Sequence, residues 1–282
     1  MKILLTGSDG FIGSHVLSAL AGRNVVALGR NADLTKPWPD ISDFDVVIHL
    51  AARVGVKYFR NDYNAYINNL SIDHQFIEAL KRCKRQPYII YASTSEVYGT
   101  SLDANETSMI SVFPELRGSY ALEKANTEMM IRALSDKFTI LRFFNVTGYD
   151  QTDKHGHVLP VFVKKALTSQ PIPIFNGGTD VRTFCSVKDV AQVISQVIHI
   201  DPIGVMNVGS HLKSNTLTIK ELADKVIHFV GKGSTIILPE AQNIKHRIPN
   251  VDKLRSLGLS CNTSIDDIVL SSINYWKTRH DL

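Results

Sequence analysis

Residues 2–22 read KILLTGSDGFIGSHVLSALAG. A short apolar run passes directly into Gly7, Gly10 and Gly13, spaced three apart. A helical pattern, FIGSHVLSALAG, follows and closes with Gly22 at the C-cap position. A turn leaving a buried strand needs glycine where φ is positive, where backbone must approach a pyrophosphate, and where the helix packs close to the strand. The first helical turn then faces that anion with unpaired N–H groups. Having a strand before it and a helix after it, the glycine triplet predicts a nucleotide site.

The pattern continues on both sides of this unit. NVVALG (24–29) completes a βαβ unit, and DVVIHLAA (45–52), YIIYAST (88–94) and FTILRFFNV (138–146) read as further buried strands. Helices are predicted near 66–82 and 119–135. Strands and helices taking turns imply an α/β fold of the Rossmann type, a doubly wound parallel sheet with right-handed crossovers. Only about fourteen residues separate the second strand from the third, so the helix usually found there is expected to be missing. After residue 148 the rhythm changes: PIPIFNGG (171–178) carries two prolines and two glycines, and the elements become shorter. We therefore divide the chain into a dinucleotide-binding domain, 1–148, and a smaller α/β substrate-binding region, 149–282, with segments near 181–208 crossing back. No internal repeat or low-complexity segment is present.

Composition narrows the partners. The 282 residues are 44% hydrophobic and 21% charged, enough for a sizeable core, and a formal charge of +4 is too slight and scattered to imply nucleic acid. The one basic run, KRCKR at 81–85, sits where a helix should end and complements its dipole. Cys83, Cys185 and Cys261 are odd in number and lack Cys-x-x-Cys spacing, which suggests neither a disulfide framework nor zinc. His155 and His157 have no carboxylate or cysteine at ligand spacing, so no metal is expected. The opening MKILLTG is apolar too briefly for a signal peptide, and no segment approaches the roughly 20 apolar residues of a membrane span. The chain reads as cytoplasmic.

GSYALEK (118–124) sets Tyr120 and Lys124 four apart on one helix face, where an ammonium would favour an ionised phenol. Taken in order, TGSDGFIG, HLAA, STSEVYG, SYALEK and RFFNVTG resemble the extended short-chain dehydrogenase/reductase family, specifically its NAD(P)-dependent nucleotide-sugar epimerases and dehydratases. The likeness runs from residue 1 to at least 255. It implies hydride transfer at C4 of a nucleotide-diphosphate hexose, with Tyr120 as acid/base. Lys124 would hold the nicotinamide ribose and, with the pyridinium, lower the phenol pKa from about 10. Thr94 would steady the reacting oxygen. Glu96 is placed to abstract the C5 proton beside a transient 4-keto group, dehydratase-like chemistry. The resemblance further assigns Gly7, Asp9, Gly10, Phe11, Ile12 and Gly13, then Leu50, Ala51, Ala52 and Asn69, to the cofactor. Ser95, Asn145, Arg182 and Arg247 fall to the substrate.

The second strand ends in Gly29 and Arg30, where NAD-binding members carry an acidic residue for the ribose 2′-hydroxyl. Loss of the carboxylate and gain of an arginine favour NADP(H). Asp33 and Leu34 would contact adenine. An NADP(H) preference and a short chain also suit an NADPH-dependent 4-keto-sugar reductase, the alternative reading; a non-catalytic dinucleotide-binding regulator is the third. Family dimers pair helices through a four-helix bundle, and Phe76, Leu80, Met129 and Ile131 are the residues expected in that homodimer patch.

Overall fold

The computed structural model describes residues 1–55, 63–99, 104–111, 118–238 and 248–280. Its centre is a six-stranded parallel sheet. The strands are β1 (Lys2–Thr6), β2 (Asn24–Leu28), β3 (Val46–His49), β4 (Tyr88–Thr94), β5 (Phe138–Phe143) and β10 (Gly204–Val208), in the spatial order β10-β5-β4-β3-β1-β2. The chain moves from β1 outward to β2, then crosses to the other side of β1 for β3. That reversal opens a crevice at the carboxyl ends of β1 and β3, the place where such sheets take ligands. No helix occupies residues 29–45 between β2 and β3, as the short spacing predicts.

Strand periodicity explains the two layers. Ile3, Leu5, Val46, Ile48, Ile90, Leu141 and Met206 point to one face. Leu4, Val47, Ile89, Tyr91, Ile140 and Val205, one residue out of step, point to the other. Helix α1 (Phe11–Ala19) covers the first face through Val16, beside α5 (Val187–Val197) through Val190, Ile194 and Val197. Helices α2 (Tyr63–Arg82) and α3 (Gly118–Leu134) cover the second through Phe76, Leu80 and Ile131. This corrects the expected interface patch. Phe76, Leu80 and Ile131 are fully buried against the sheet, because their helical spacing turns them inward with Ile77. Of the four, only Met129 is exposed, at 64%.

A separate apolar cluster lies further along the chain. It gathers α4 (Val158–Leu167), α6 (Ile219–Val230) and α8 (Ile265–His280) around Phe162, Leu222, Val226, Ile268 and Trp276, with β7 (Ile172–Ile174) beside them. The intervening short pieces are β6 (Val146–Thr147), β8 (Val181–Thr183), β9 (Cys185–Ser186), β11 (Thr216–Thr218), β12 (Thr235–Ile237) and α7 (Asp252–Ser256). Although α4, α6 and α8 build this second core, β10 returns to pair with β5 and forms one edge of the main sheet. Among the described residues, no helix is long and apolar enough to cross a membrane.

Candidate active site

The glycine turn is held against the ends of two strands. Gly7 N–H and Ser8 N–H both donate to Leu28 O, at 2.8 and 3.3 Å, and Gly10 N–H donates to Gly7 O at 2.9 Å. Gly7 has φ +72°, and a Cβ there would lie 2.8 Å from Ala51 N, at the end of β3. A Cβ on Gly13 would stand 2.0 Å from Gly7 O. Side chains are therefore excluded by backbone on two sides. Gly10 caps α1 without any side-chain hydrogen bond, and no acidic residue occupies the first turn around Phe11 and Ile12. An uncapped helix start beside a bare backbone turn is the donor set a pyrophosphate requires, so the residues present fit a dinucleotide. Leu50, Ala51 and Ala52 line the neighbouring strand end, with Ala51 N–H donating to Thr6 Oγ1 at 3.3 Å.

A buried polar chain runs from this turn to the reactive helix. Thr6 Oγ1 lies 2.6 Å from His49 Nδ1, and His49 Nε2 lies 3.1 Å from Asp73 Oδ1. Burial pushes the His49 pKa down despite Asp73, so the ring is neutral. It then fits as an acceptor from Thr6 at Nδ1 and a donor to Asp73 at Nε2. Asp73 Oδ2 also accepts from Tyr91 Oη at 2.6 Å and from Thr127 Oγ1 at 2.8 Å. Lys124 Nζ donates to Tyr91 Oη at 3.0 Å and stands 3.8 Å from Asp73 and 3.4 Å from Glu123. Burial alone would discharge this lysine, but Asp73, Tyr91 and Glu123 raise its pKa well above the ordinary range and keep it cationic.

The two carboxylates beside Lys124 differ sharply. Burial pushes Asp73 up, yet Lys124, His49 and Tyr91 outweigh it and hold the carboxyl at about 2. Glu123 is pushed up to about 7, first by burial and then by Asp73, with Lys124 and Asn69 only partly offsetting. One stays ionised and the other shares its proton near neutrality.

Tyr120 lies in this field, one helical turn before Lys124. Its phenol pKa is raised above the ordinary value: burial acts first, Lys124 pulls down, and Glu123, Glu96 and Asp73 push up. These are the protein's own groups; the expected lowering of the phenol pKa draws on the pyridinium charge as well as on Lys124. Lys124 acts in the direction predicted, but burial and three carboxylates outweigh it. Thr94 ends β4, where its Oγ1 accepts the Glu96 N–H at 3.2 Å and caps a short 3-10 turn over Ser95–Tyr98. This cap sets Glu96 close enough to act on the Tyr120 phenol. Ser95 is buried, and Ser93 donates to Glu128, which grips Arg142 from β5.

Other predicted residues lie elsewhere or serve the scaffold. Asn69 holds the loop after β3: it accepts from Arg53 N at 2.8 Å and donates to Arg53 O at 2.9 Å and to Glu123 at 3.0 Å. Asn145, at φ +36°, donates to Thr183 O at 2.9 Å and accepts from Cys185 N, joining the end of β5 to β8 and β9. Arg182 pairs with Asp180 at 2.9 Å. Asp33 accepts from Thr35 N–H and hydroxyl, while Leu34 is buried with Trp38. Arg30 donates from its backbone to the Asp9 carboxylate. Arg247 lies outside the described residues. His155 packs its backbone and Cβ against Gly55, and among the described residues no group of three or more metal-ligating side chains forms. Cys185 and Cys261, distant in sequence, are both buried free thiols of the same apolar core.

Sequence reasoning missed His49, Asp73, Tyr91 and Glu123. The signal was available in part. Asn69 and Asp73 are polar residues four apart on the apolar stripe of α2, and His49 ends an otherwise aliphatic strand.

The profile of the NAD dependent epimerase/dehydratase family matches residues 3–209. The chain is 28% identical over 326 residues to the trifunctional UDP-glucose 4,6-dehydratase/UDP-4-keto-6-deoxy-D-glucose 3,5-epimerase/UDP-4-keto-L-rhamnose-reductase of Arabidopsis thaliana, aligning 99% of itself with 47% of that protein. It therefore spans about half the length of that relative. It is 26% identical over 297 residues to UDP-N-acetyl-alpha-D-glucosaminuronate decarboxylase of Bacillus cytotoxicus, with 91% of each chain covered. The structure resembles that of UDP-glucuronic acid 4-epimerase from Bacillus cereus in complex with UDP-glucuronic acid and NAD, at TM-score 0.82, 25% identity and 99% coverage of both chains. A parallel sheet switched at β1, the uncapped glycine turn and a family match over most of the chain converge: the chain belongs to the extended short-chain dehydrogenase/reductases of the NAD-dependent epimerase/dehydratase family.

Proposed function

We propose that this chain moves hydride at C4 of a nucleotide-diphosphate hexose, in an epimerase- or dehydratase-type reaction, with Tyr120 as the acid/base. The observation that carries the reading is the placement of one phenol under the joint field of a charged lysine and Glu96. The same lysine is tied by buried hydrogen bonds through Tyr91, Asp73 and His49 to Thr6, the residue before the glycine turn. Relatives named for UDP-sugar epimerisation, dehydration and decarboxylation support this class of substrate.

The residues divide the work. Thr94 keeps its hydroxyl hydrogen for the sugar oxygen, since its Oγ1 accepts from Glu96 N–H. Tyr120 exchanges the proton of the C4 hydroxyl, and Lys124 holds positive charge beside it. A bound NAD(P) supplies the hydride acceptor and, when oxidised, the extra positive charge that offsets the carboxylates around the phenol. Glu96 removes the C5 proton once C4 is a ketone. Arg182 and Asn145 face the substrate in this reading. Assembly into a homodimer through α2 and α3 would use their exposed Ile67, Leu122, Met129 and Met130 in place of the buried residues.

The test is to incubate the protein with UDP-, GDP-, CDP- and dTDP-sugars and weigh the products. An isomer, loss of water or loss of carbon dioxide fits the proposal, whereas gain of two hydrogens marks a 4-keto reduction. Tyr120→Phe should retain dinucleotide affinity and lose nearly all turnover; turnover comparable to wild type removes Tyr120 from the chemistry.

A further inference from the structure

The end of β2 lacks the carboxylate that reads an adenosine ribose, yet the structure sets one there from another segment. Asp9, in the glycine turn, accepts the Arg30 N–H at Oδ2, 2.9 Å away. Ser8 Oγ makes a longer contact of 3.4 Å to Oδ1. A Cβ on Gly29 would lie 2.1 Å from Asp9 Oδ2, 2.3 Å from its Cγ and 2.5 Å from its Oδ1. The Asp9 carboxylate thus fills the space in which a side chain at position 29 would begin.

Backbone geometry does not account for the glycine. Gly29 is absent from the glycines of positive φ, so its conformation is open to any L-residue. What a side chain at 29 would displace is the Asp9 carboxylate. The two positions form one unit: a carboxylate moved from the strand end to the turn, and a glycine that makes room for it. The backbone of the turn is fixed to the same strand end by the Gly7 and Ser8 bonds to Leu28 O, which keeps Asp9 beside it.

Resting on the dinucleotide reading above, we propose that Asp9 is the group that binds the adenosine ribose hydroxyls, and that it makes this protein selective for NAD(H) over NADP(H). An ionised carboxylate accepts about four hydrogen bonds, and the Arg30 N–H and the Ser8 hydroxyl supply two donors. The others suit vicinal hydroxyls and repel a 2′-phosphate. Arg30 does not reverse this. Its guanidinium donates to the Asp9 carbonyl at 3.4 Å, so a 2′-phosphate approaching it must also approach the Asp9 carboxylate. On this proposal the NADP(H) preference expected from Gly29 and Arg30 is replaced by one for NAD(H), because the sequence shows a strand end without its acid and does not show the carboxylate that position 9 brings beside it.

The experiment is direct titration of purified protein with NAD+ and NADP+ by calorimetry, without any sugar. Wild type should bind NAD+ at least about tenfold tighter, the worth of one hydrogen bond to a charged group. Asp9→Asn preserves the shape and the acceptor for Arg30 N–H, and should shrink that ratio about tenfold by admitting NADP+. Asp9→Ala should loosen NAD+, and Asp9→Ala combined with Gly29→Asp should restore NAD+ preference by returning the acid to β2. Equal or tighter binding of NADP+ by wild type, or an unchanged ratio in Asp9→Asn, overturns the proposal. Failure to bind either dinucleotide refutes the underlying dinucleotide reading instead.

Discussion

Glu123 offers the sharpest test of the electrostatics around Lys124. The side chain is fully buried, and burial followed by Asp73 raises its pKa from 4.5 to about 7. Between those values the folded state holds a proton that the unfolded state has released. Stability therefore falls as pH rises through this window. A difference of about 2.5 pH units corresponds to about 3 kcal/mol at 1.36 kcal/mol per unit, fully expressed above pH 7 and absent below pH 4.5. Glu123→Gln keeps an oxygen for the Asn69 amide and removes the titration. At pH 8 the variant should gain about 3 kcal/mol in urea denaturation, raising Tm by roughly 6 to 12 °C, and at pH 4 the two proteins should coincide. A variant less stable than wild type at pH 8 refutes the reasoning, because Glu123 would then be a net favourable partner of Lys124. Asp73 has the opposite sign. With its pKa held at about 2, it contributes stability above its ordinary 3.8 that disappears as pH falls through 2.

Three further outcomes check other parts of the site. Gly13→Ala puts a methyl 2.0 Å from Gly7 O, backbone against backbone, so it should cost about 1–3 kcal/mol of stability and abolish calorimetric dinucleotide binding. Unchanged binding would show that the turn relaxes without loss. Glu96→Gln should abolish solvent-deuterium incorporation at C5 and spare hydride transfer at C4, read by mass spectrometry; normal exchange makes Glu96 structural. Met129→Glu, at a position 64% exposed on α3, should shift a dimer to monomer in light scattering. An unaltered mass removes that helix face from any interface.

Strands β1, β3, β4 and β5 were legible because they are buried on both faces and read as mainly apolar runs, whereas the edge strand β2 is largely exposed and was read from its β-branched residues. The glycine turn was legible because close backbone contacts leave few alternatives to glycine. The faces of α2 and α3 were not. An apolar stripe marks a covered surface without saying what covers it, and Phe76, Leu80 and Ile131 lie under the sheet rather than against a second subunit. Of the proposed site, Tyr120, Lys124, Thr94 and Glu96 were read from two short motifs, STSEVYG and SYALEK. Asp73, His49 and Glu123 act through contacts between residues 24 to 54 positions apart, and no local spacing reports them. The same holds for the contact between Asp9 and Arg30, 21 apart, which no local spacing reports.

The position of β10 bears on how the molecule is made. This edge strand is translated some sixty residues after its neighbour β5, once the intervening helices and short strands have emerged. Until then the growing polypeptide carries β5 as a bare margin, its amide and carbonyl groups open to any extended segment nearby. Ribosome-bound intermediates ending before residue 204 are thus the species most prone to sticking, and chaperone demand should fall when Gly204–Val208 docks.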